Sequence, residues 1–187
     1  MFSFYPDGID DGLAVISRYP VKILKSFHFN RYGTLAVEAV VGSEKILICS
    51  VHLERIAGIG ISETGVDISF YQAFKFMIDE ISMETDRTRA VAELLSWISS
   101  QEYEHIILAG DFNTIPISQT IRKVSSQYQD SLWPGMDYPT GTYYRRVWVL
   151  TPRIDYIFHS PNLKCIRAFV VKESAGDHYP VRAVLGM

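Results

Sequence analysis

The sequence predicts an α/β fold, and three observations on the 187-residue chain support this. Short runs rich in β-branched and aromatic residues, separated by turn residues, fill the first part of the chain and return in the last. A strongly amphipathic helical segment lies between them at 88–99. An apolar content of 48% is sufficient for one folded core. Strands, a crossover helix and strands again predict sheets flanked by helices, in a single domain over residues 1–187.

The first part of the chain is predicted to be largely antiparallel sheet. Its β-rich runs lie at 12–17, 21–29, 34–41 and 45–52. The polar residues 30–33 form a turn between the second and third runs, and Gly42-Ser43-Glu44 turns into the fourth. Consecutive short runs joined by tight turns are typical of β-hairpins.

Helical periodicity dominates the middle of the chain. Residues 54–86 are irregular, but Phe70, Phe74, Met77, Ile78 and Ile81 recur at helical spacing, which predicts an apolar face packed in the core. The strongest helix is 88–99, with Val91, Leu94, Leu95 and Ile98 on one face. A strand at 104–109, a short helix at 116–124 and β-rich runs at 141–144, 154–159, 163–171 and 181–185 follow.

The charge balance limits the functions that the chain can have. A net charge of -3 gives no global basic field, which argues against tight non-specific DNA binding. It does not exclude a nuclease that binds the phosphate backbone at a local site. No apolar stretch reaches the ~20 residues that a membrane helix needs, and no signal peptide is recognisable at the start. Cys49 and Cys165 lie in apolar runs and are predicted to be buried and reduced, which favours a reducing compartment.

Polar residues of catalytic type follow or interrupt four predicted strands. They occur in Ser50-Val51-His52-Leu53, Gly110-Asp111-Phe112-Asn113-Thr114, Arg153-Ile154-Asp155-Tyr156-Ile157 and Gly176-Asp177-His178-Tyr179-Pro180-Val181. Phosphodiesters resist hydrolysis because their charge repels nucleophiles, and carboxylates that hold a hard cation together with histidines overcome this. In type and order these motifs resemble those of the endonuclease/exonuclease/phosphatase superfamily, whose fold is that of deoxyribonuclease I.

The resemblance implies a four-layer α-β-β-α sandwich of two mostly antiparallel sheets, with Mg²⁺ or Mn²⁺ as cofactor. It implies that Asp177 is a metal-linked carboxylate and that His178 is the general base or stabilises the phosphate. Asp155 would orient His178 and fix its tautomer. Asp111 would align the attacking water, and Asn113 would contact the phosphate; both would also approach the metal.

Three further residues receive roles from the same resemblance. His52 would bind or protonate the phosphate, and Arg87 and Tyr143 would contact the substrate. Arg87 begins the crossover helix, and Tyr143 belongs to a Thr-aromatic pair with Thr142. The sequence departs from the family at Gly176, where the family usually has Ser.

Each motif also has a structural interpretation. Asp177 could cap a turn, and Asp111 with Asn113 could close an Asx turn after the strand. Asp155 could form a salt bridge with Arg153, two positions away on the same strand face. The order of the motifs favours the functional interpretation.

The family's usual upstream Asn and metal-binding Glu have no counterpart after Met1, so we expect an N-terminally truncated domain that alone binds metal weakly and turns over poorly. An unpaired sheet edge near 12–17 would then invite homodimerisation. The main hypothesis is a metal-dependent phosphohydrolase, a phosphodiesterase or nuclease acting on nucleic acid, a nucleotide or a lipid headgroup. The alternatives are an impaired remnant that binds phosphate or a partner, and a phosphoinositide or sphingolipid hydrolase.

Overall fold

The computed structural model describes residues 2–4, 12–29, 32–55, 60–62, 65–67, 75, 78–132, 141–143, 152–173 and 176–187. Residues 78–82 are helical, and the longer helices that follow are Asp86–Ser99 (α1) and Gln119–Ser125 (α2). The strands are Phe2–Phe4 (β1), Leu13–Val15 (β2), Val21–Phe29 (β3), Tyr32–Val41 (β4), Glu44–His52 (β5), Gly60–Ser62 (β6), Gly65–Asp67 (β7), His105–Asp111 (β8), Gln129–Asp130 (β9), Asp155–His159 (β10), Lys164–Val170 (β11) and Val181–Gly186 (β12).

A six-stranded sheet in the order β3-β4-β5-β8-β10-β9 organises these elements. Its neighbouring strands are antiparallel, except that β5 and β8 are parallel and are connected through α1. Small two-stranded sheets, β1-β2, β6-β7 and β11-β12, accompany it. The predicted α/β class is therefore confirmed.

The two faces of the central sheet differ in what covers them. Apolar side chains such as Val51, Leu108 and Phe158 pack against α1 and α2 in the main core. Leu35 and Val37 face the other way, where they pack with Leu13 of β2. Because side chains alternate along a strand, the polar residues at the ends of β5, β8 and β10 emerge on the face away from the helices.

Local chemistry explains where the helices begin. The predicted helix at 88–99 is confirmed and starts at Asp86, because the Thr85 side chain caps it by accepting from the Thr88 N–H. The helix predicted at 116–124 begins only at Gln119, because Ser118 is its N-cap.

Other predictions need correction. The turn predicted at 30–33 is too long, because β4 already begins at Tyr32. Residues 141–143 form no strand and contribute an isolated bridge through Tyr143. Ile78 is 46% exposed, so its assignment to the core was wrong. Phe70, Phe74 and Met77 lie outside the described residues.

Two further expectations concern thiols and termini. Both cysteines are free, with Cys49 buried and Cys165 partly exposed. β2 pairs with β1 on one side, and dimerisation near this edge stays a prediction. Within the described part of the chain, no helix is long and apolar enough to cross a membrane.

Candidate active site

The ends of three adjacent strands bring distant motifs together. Asp111, the last residue of β8, lies opposite His52 in the parallel ladder with β5 and opposite Asp155 in the antiparallel ladder with β10. Directly opposed residues place their side chains on the same face of a sheet. Residues far apart in the sequence therefore meet at one corner of the fold.

The side chains of this corner form a connected cluster. His178 Nδ1 lies 2.9 Å from Asp155 Oδ2, which is a hydrogen bond. Asp111 Oδ2 lies 3.9 Å from His178 Nε2 and 3.8 Å from His52 Nε2. One carboxylate oxygen of Asp111 is thus flanked by two imidazoles, while Asp155 holds one of them by its other nitrogen.

Thr142 ties the His178 segment to the start of β10. Its buried hydroxyl accepts hydrogen bonds from the N–H groups of Ile154 and Asp155, each at 3.0 Å. Its carbonyl accepts from the Tyr179 N–H at 2.6 Å. The sequence noted Thr142 only as part of a family pattern; this two-sided hydrogen bonding depends on tertiary contacts that no local pattern shows.

Asp111 uses its two carboxylate oxygens for different purposes. Oδ1 accepts from the Asn113 N–H at 2.8 Å, closing an Asx turn, while Oδ2 faces the imidazoles. Asn113 has a φ of 49° and its side-chain Nδ2 donates to the Leu53 carbonyl at 2.8 Å. The Asx turn is therefore formed, and the functional roles of Asp111 and Asn113 stay predictions.

Gly110 allows β5 and β8 to approach at the site. Its φ is 143°, and a Cβ there would lie 2.0 Å from the Val51 carbonyl oxygen. A distance under 3.0 Å to backbone requires the backbone itself to move. Only glycine fits the position directly before Asp111.

The salt bridge considered for Asp155 is not formed. Arg153 instead donates to Asp130 Oδ1 at 2.6 Å, and its guanidinium lies 4.4 Å from the Tyr156 ring centroid. The carboxylate of Asp155 is bonded to His178. The ion pair and the carboxylate–imidazole pair are therefore separate.

Burial and like charge shift the protonation equilibria of the cluster. Burial, followed by the charge of Asp155, raises the pKa of Asp111 to about 7, although the Asn113 N–H and His178 oppose the shift. Burial lowers the pKa of His178, but the Asp155 hydrogen bond and the charges of Asp155, Asp111 and Asp177 outweigh it, so the pKa is raised. The cluster therefore exchanges protons near neutral pH.

The donor set suits a hard divalent cation. Ligand atoms of Asp111, Asp155 and His178 lie within 4.8 Å of one another. The mutual repulsion of the two carboxylates is the feature that a cation would relieve. This grouping contains Asp155 and His178 in place of the predicted ligands Asn113 and Asp177. Asp177 is half-buried beside His178, and its metal role stays a prediction.

Of the three predicted substrate-binding residues, Tyr143 and Arg87 lie in different environments from Asn113 and from each other. Tyr143 packs edge-on against the His178 imidazole, with ring centroids 5.1 Å apart. Arg87 is only 8% exposed, and its guanidinium donates to Glu80 Oε1 at 2.5 Å and to the Glu54 carbonyl at 2.9 Å. Sequence reasoning missed Glu80, because it lies beside an irregular segment with no motif around it.

An open depression adjoins the cluster. Asp155 and His178 line its polar side, and Ile157, Pro180 and Val181 line its apolar side. A ligand seated there would contact the carboxylate–imidazole pair directly.

Comparison with known proteins shows which solved structures share this fold. The chain superimposes on a conserved protein of unknown function from Enterococcus faecalis V583 with a TM-score of 0.66 and 19% identity, covering 99% of this chain and 75% of that one. It superimposes on an endonuclease/exonuclease/phosphatase from Beutenbergia cavernae DSM 12333 with a TM-score of 0.61 and 19% identity, covering 90% of this chain and 46% of that one. It superimposes on D. rerio TDP2 complexed with a single-strand DNA product with a TM-score of 0.61 and 16% identity, covering 89% of this chain and 69% of that one.

At such low identities, these superpositions show that the fold is shared and nothing beyond it. No curated protein matches the chain by sequence. The sequence model of the Endonuclease/Exonuclease/phosphatase family, however, matches residues 2–178, which is most of the chain. This match spans the first three motifs and ends at His178, inside the fourth. The chain therefore belongs to the endonuclease/exonuclease/phosphatase family.

Proposed function

We propose that the protein is a divalent-metal-dependent phosphoric ester hydrolase that acts on phosphodiesters, with nucleic acid as the substrate class. The observation that carries this proposal is the convergence of Asp111, Asp155 and His178 within 4.8 Å at the ends of β8 and β10. Family membership supports the chemistry. The structural similarity to a TDP2 complexed with a single-strand DNA product favours nucleic acid.

The His178–Asp155 pair supplies the general base or a phosphate-stabilising imidazole. Asp155 accepts from Nδ1, which leaves Nε2 directed towards Asp111. With Nδ1–H fixed in this way, a neutral ring carries its lone pair on Nε2 and can accept a proton from water. The raised pKa of His178 helps the ring to retain that proton until it is transferred.

Asp111 and its neighbours position the reactants. Oδ2 of Asp111 lies between the two imidazoles, where it can accept a hydrogen bond from the attacking water. His52, whose Nε2 lies 3.8 Å from the same oxygen, would bind or protonate the phosphate. The Asn113 side chain, held by the Leu53 carbonyl, borders the same corner.

Asp111 and Asp155 would hold the cation, while His178, whose Nδ1–H donates to Asp155, keeps its Nε2 lone pair for the proton of the water. When bound, Mg²⁺ or Mn²⁺ would neutralise the charge of the phosphate and stabilise the leaving oxygen. Both carboxylates bind the cation only when ionised, so the raised pKa of Asp111 makes binding pH-dependent.

The test compares bis-p-nitrophenyl phosphate, p-nitrophenyl phosphate, single-stranded DNA and RNA with Mg²⁺, Mn²⁺ or EDTA. We expect slow diester hydrolysis, in keeping with the weak metal binding expected of this chain; EDTA should abolish it, and His178→Gln should reduce it to background. Asp86→Asn is the control, since Asp86 is exposed on α1 and pairs with Arg89. Hydrolysis that His178→Gln leaves unchanged would contradict the proposal, and faster cleavage of the monoester would remove the diester preference.

A further inference from the structure

A buried polar network lies behind the site. Arg87, Glu80 and Thr114 are 8%, 1% and 0% exposed. Arg87 donates to Glu80 Oε1 at 2.5 Å, and the Thr114 hydroxyl donates to Glu80 Oε2. Glu80 thus joins the start of α1 to the segment that follows β8, using both oxygens of one carboxylate.

The ends of this network contact the segments that carry site residues. Arg87 Nη1 donates to the Glu54 carbonyl, two residues after His52. Thr114 directly follows Asn113, and its carbonyl accepts from the Tyr156 hydroxyl at 3.0 Å. The segments after β5 and β8 and the start of β10 are therefore linked through one buried set of hydrogen bonds.

Packing alone does not account for these charges. Removing an ion pair from water is costly, and an apolar pair of similar volume often gives equal or better stability. What an apolar pair lacks is directionality, because a guanidinium fork and a carboxylate each fix two partners in a defined geometry. The network is therefore better suited to holding a geometry than to stabilising the fold.

We propose that Glu80 and Arg87 are positioning residues, which hold the segments 53–54 and 113–114 so that His52, Asp111 and Asn113 meet in reactive geometry. The effect of these two residues on catalysis rests on the proposed function above. The position of Arg87 supports this over direct substrate contact, because two of its guanidinium nitrogens donate to Glu80 and to the Glu54 carbonyl.

The test uses the double variant Glu80→Leu/Arg87→Met, which removes the fork without leaving one charge buried alone. Arg87→Lys is a second variant that keeps the charge but lacks the planar fork. Arg89→Lys is the matched control, because Arg89 lies on the same helix, is exposed and pairs with Asp86, three positions before it. Rates are measured with bis-p-nitrophenyl phosphate and stabilities by thermal unfolding.

We expect kcat to fall about 10–100-fold in the double variant and in Arg87→Lys, as is typical when contacts supporting a metal site are lost. KM should change little, and Arg89→Lys should resemble the wild type in every respect. The melting temperature of the double variant should fall modestly, because the buried Thr114 hydroxyl loses its acceptor. Wild-type kcat in a stably folded double variant would overturn the proposal. So would a raised KM with unchanged kcat, which would assign Arg87 to substrate binding. If the double variant does not fold, Arg87→Lys decides by the same criteria.

Amide hydrogen exchange separates this proposal from failure of the proposed function. The Leu53 N–H donates to the Asp111 carbonyl at 2.9 Å, and the Asn113 N–H donates to Asp111 Oδ1 at 2.8 Å. If the wild type cleaves no phosphate ester, the proposed function fails and these amides decide. Exchange about 10-fold faster in the variants than in the wild type and Arg89→Lys supports positioning; equal exchange in all proteins overturns it.

Discussion

Asp111 and Asp155 are directly opposed in the β8–β10 ladder, so two carboxylates share one face at the end of the sheet. Like charges in opposed positions destabilise a ladder. The hydrogen bond from His178 to Asp155 relieves part of the repulsion, and the pKa of Asp111 is nevertheless raised to about 7. The fold thus holds two acids together at a cost to its own stability, as cation binding requires.

The first prediction concerns stability and pH without metal. The raised pKa of Asp111 contributes stability that is fully present below the ordinary value of 3.8 and lost as the pH rises through about 7. The raised pKa of His178 contributes stability below 6.5 that is also lost as the pH rises. We expect Asp111 to lower the free energy of unfolding as the pH rises from about 4 to about 7, and His178 to lower it further as the pH rises above 6.5.

Urea unfolding at several pH values, in EDTA, measures this. Asp111→Asn should flatten the pH profile and stabilise the metal-free protein at the alkaline end, whereas exposed Asp86→Asn should keep the wild-type slope. An Asp111→Asn profile parallel to the wild type would show that the group does not titrate in this range.

The second prediction concerns the carboxylate–imidazole pair. Asp155→Asn removes the charge that favours protonated His178, so the imidazole pKa should fall and the rate should drop by about 10²–10⁴-fold. The imidazole pKa is followed by NMR and the rate with bis-p-nitrophenyl phosphate. Asp130→Asn is the contrasting variant, because it breaks the ion pair with Arg153. It should reduce the stability of the fold and have little effect on the pKa of His178. An unchanged rate in Asp155→Asn would remove this residue from the mechanism.

The third prediction concerns the glycine before Asp111. Gly110→Ala would place a Cβ 2.0 Å from the Val51 carbonyl oxygen, so we expect a loss of more than about 3 kcal/mol or failure to fold. Gly42→Ala is the matched control, because Gly42 also has positive φ but nothing lies within 4 Å of a Cβ there. That substitution should cost about 1–2 kcal/mol. Equal losses in the two variants, measured by denaturant unfolding, would contradict the close approach of β5 and β8.

The fourth prediction concerns Thr142. Thr142→Val leaves the N–H groups of Ile154 and Asp155 without their acceptor, and each buried unsatisfied donor costs about 1–3 kcal/mol. Thr34→Val is the control, because the buried Thr34 hydroxyl has no hydrogen-bond partner among the described residues. We expect Thr142→Val to destabilise the protein and Thr34→Val to be neutral or stabilising. The reverse order in thermal unfolding would contradict the assigned hydrogen bonds.

The sequence pattern was sufficient to predict elements that are determined by interactions between residues close together in the sequence. The β3 run was predictable from its β-branched and aromatic residues, and the 88–99 helix from a periodicity that records which face is buried. The motif containing Asp111 was recognisable because Gly, Asp and Asn favour the turn that ends a strand.

The remaining features depend on tertiary structure. Glu80 is buried because Arg87, which lies seven positions later, and Thr114 satisfy its two oxygens, and no spacing rule records such an arrangement. Tyr143 lies in a β-rich run, but the structure gives it an isolated bridge to His178 instead of a strand. Packing of distant segments decided both outcomes.

The two oxygens of Asp111 have different partners, so the backbone amide of Asn113 can report on binding at the site. Oδ1 is engaged by the Asn113 N–H, so a proton or cation is accommodated at Oδ2 without opening the turn. The corner can therefore change its charge while it keeps its shape. The backbone amide resonance of Asn113 should move with every such change, so this one signal would detect fragments, ions or inhibitors at the site without any attached label.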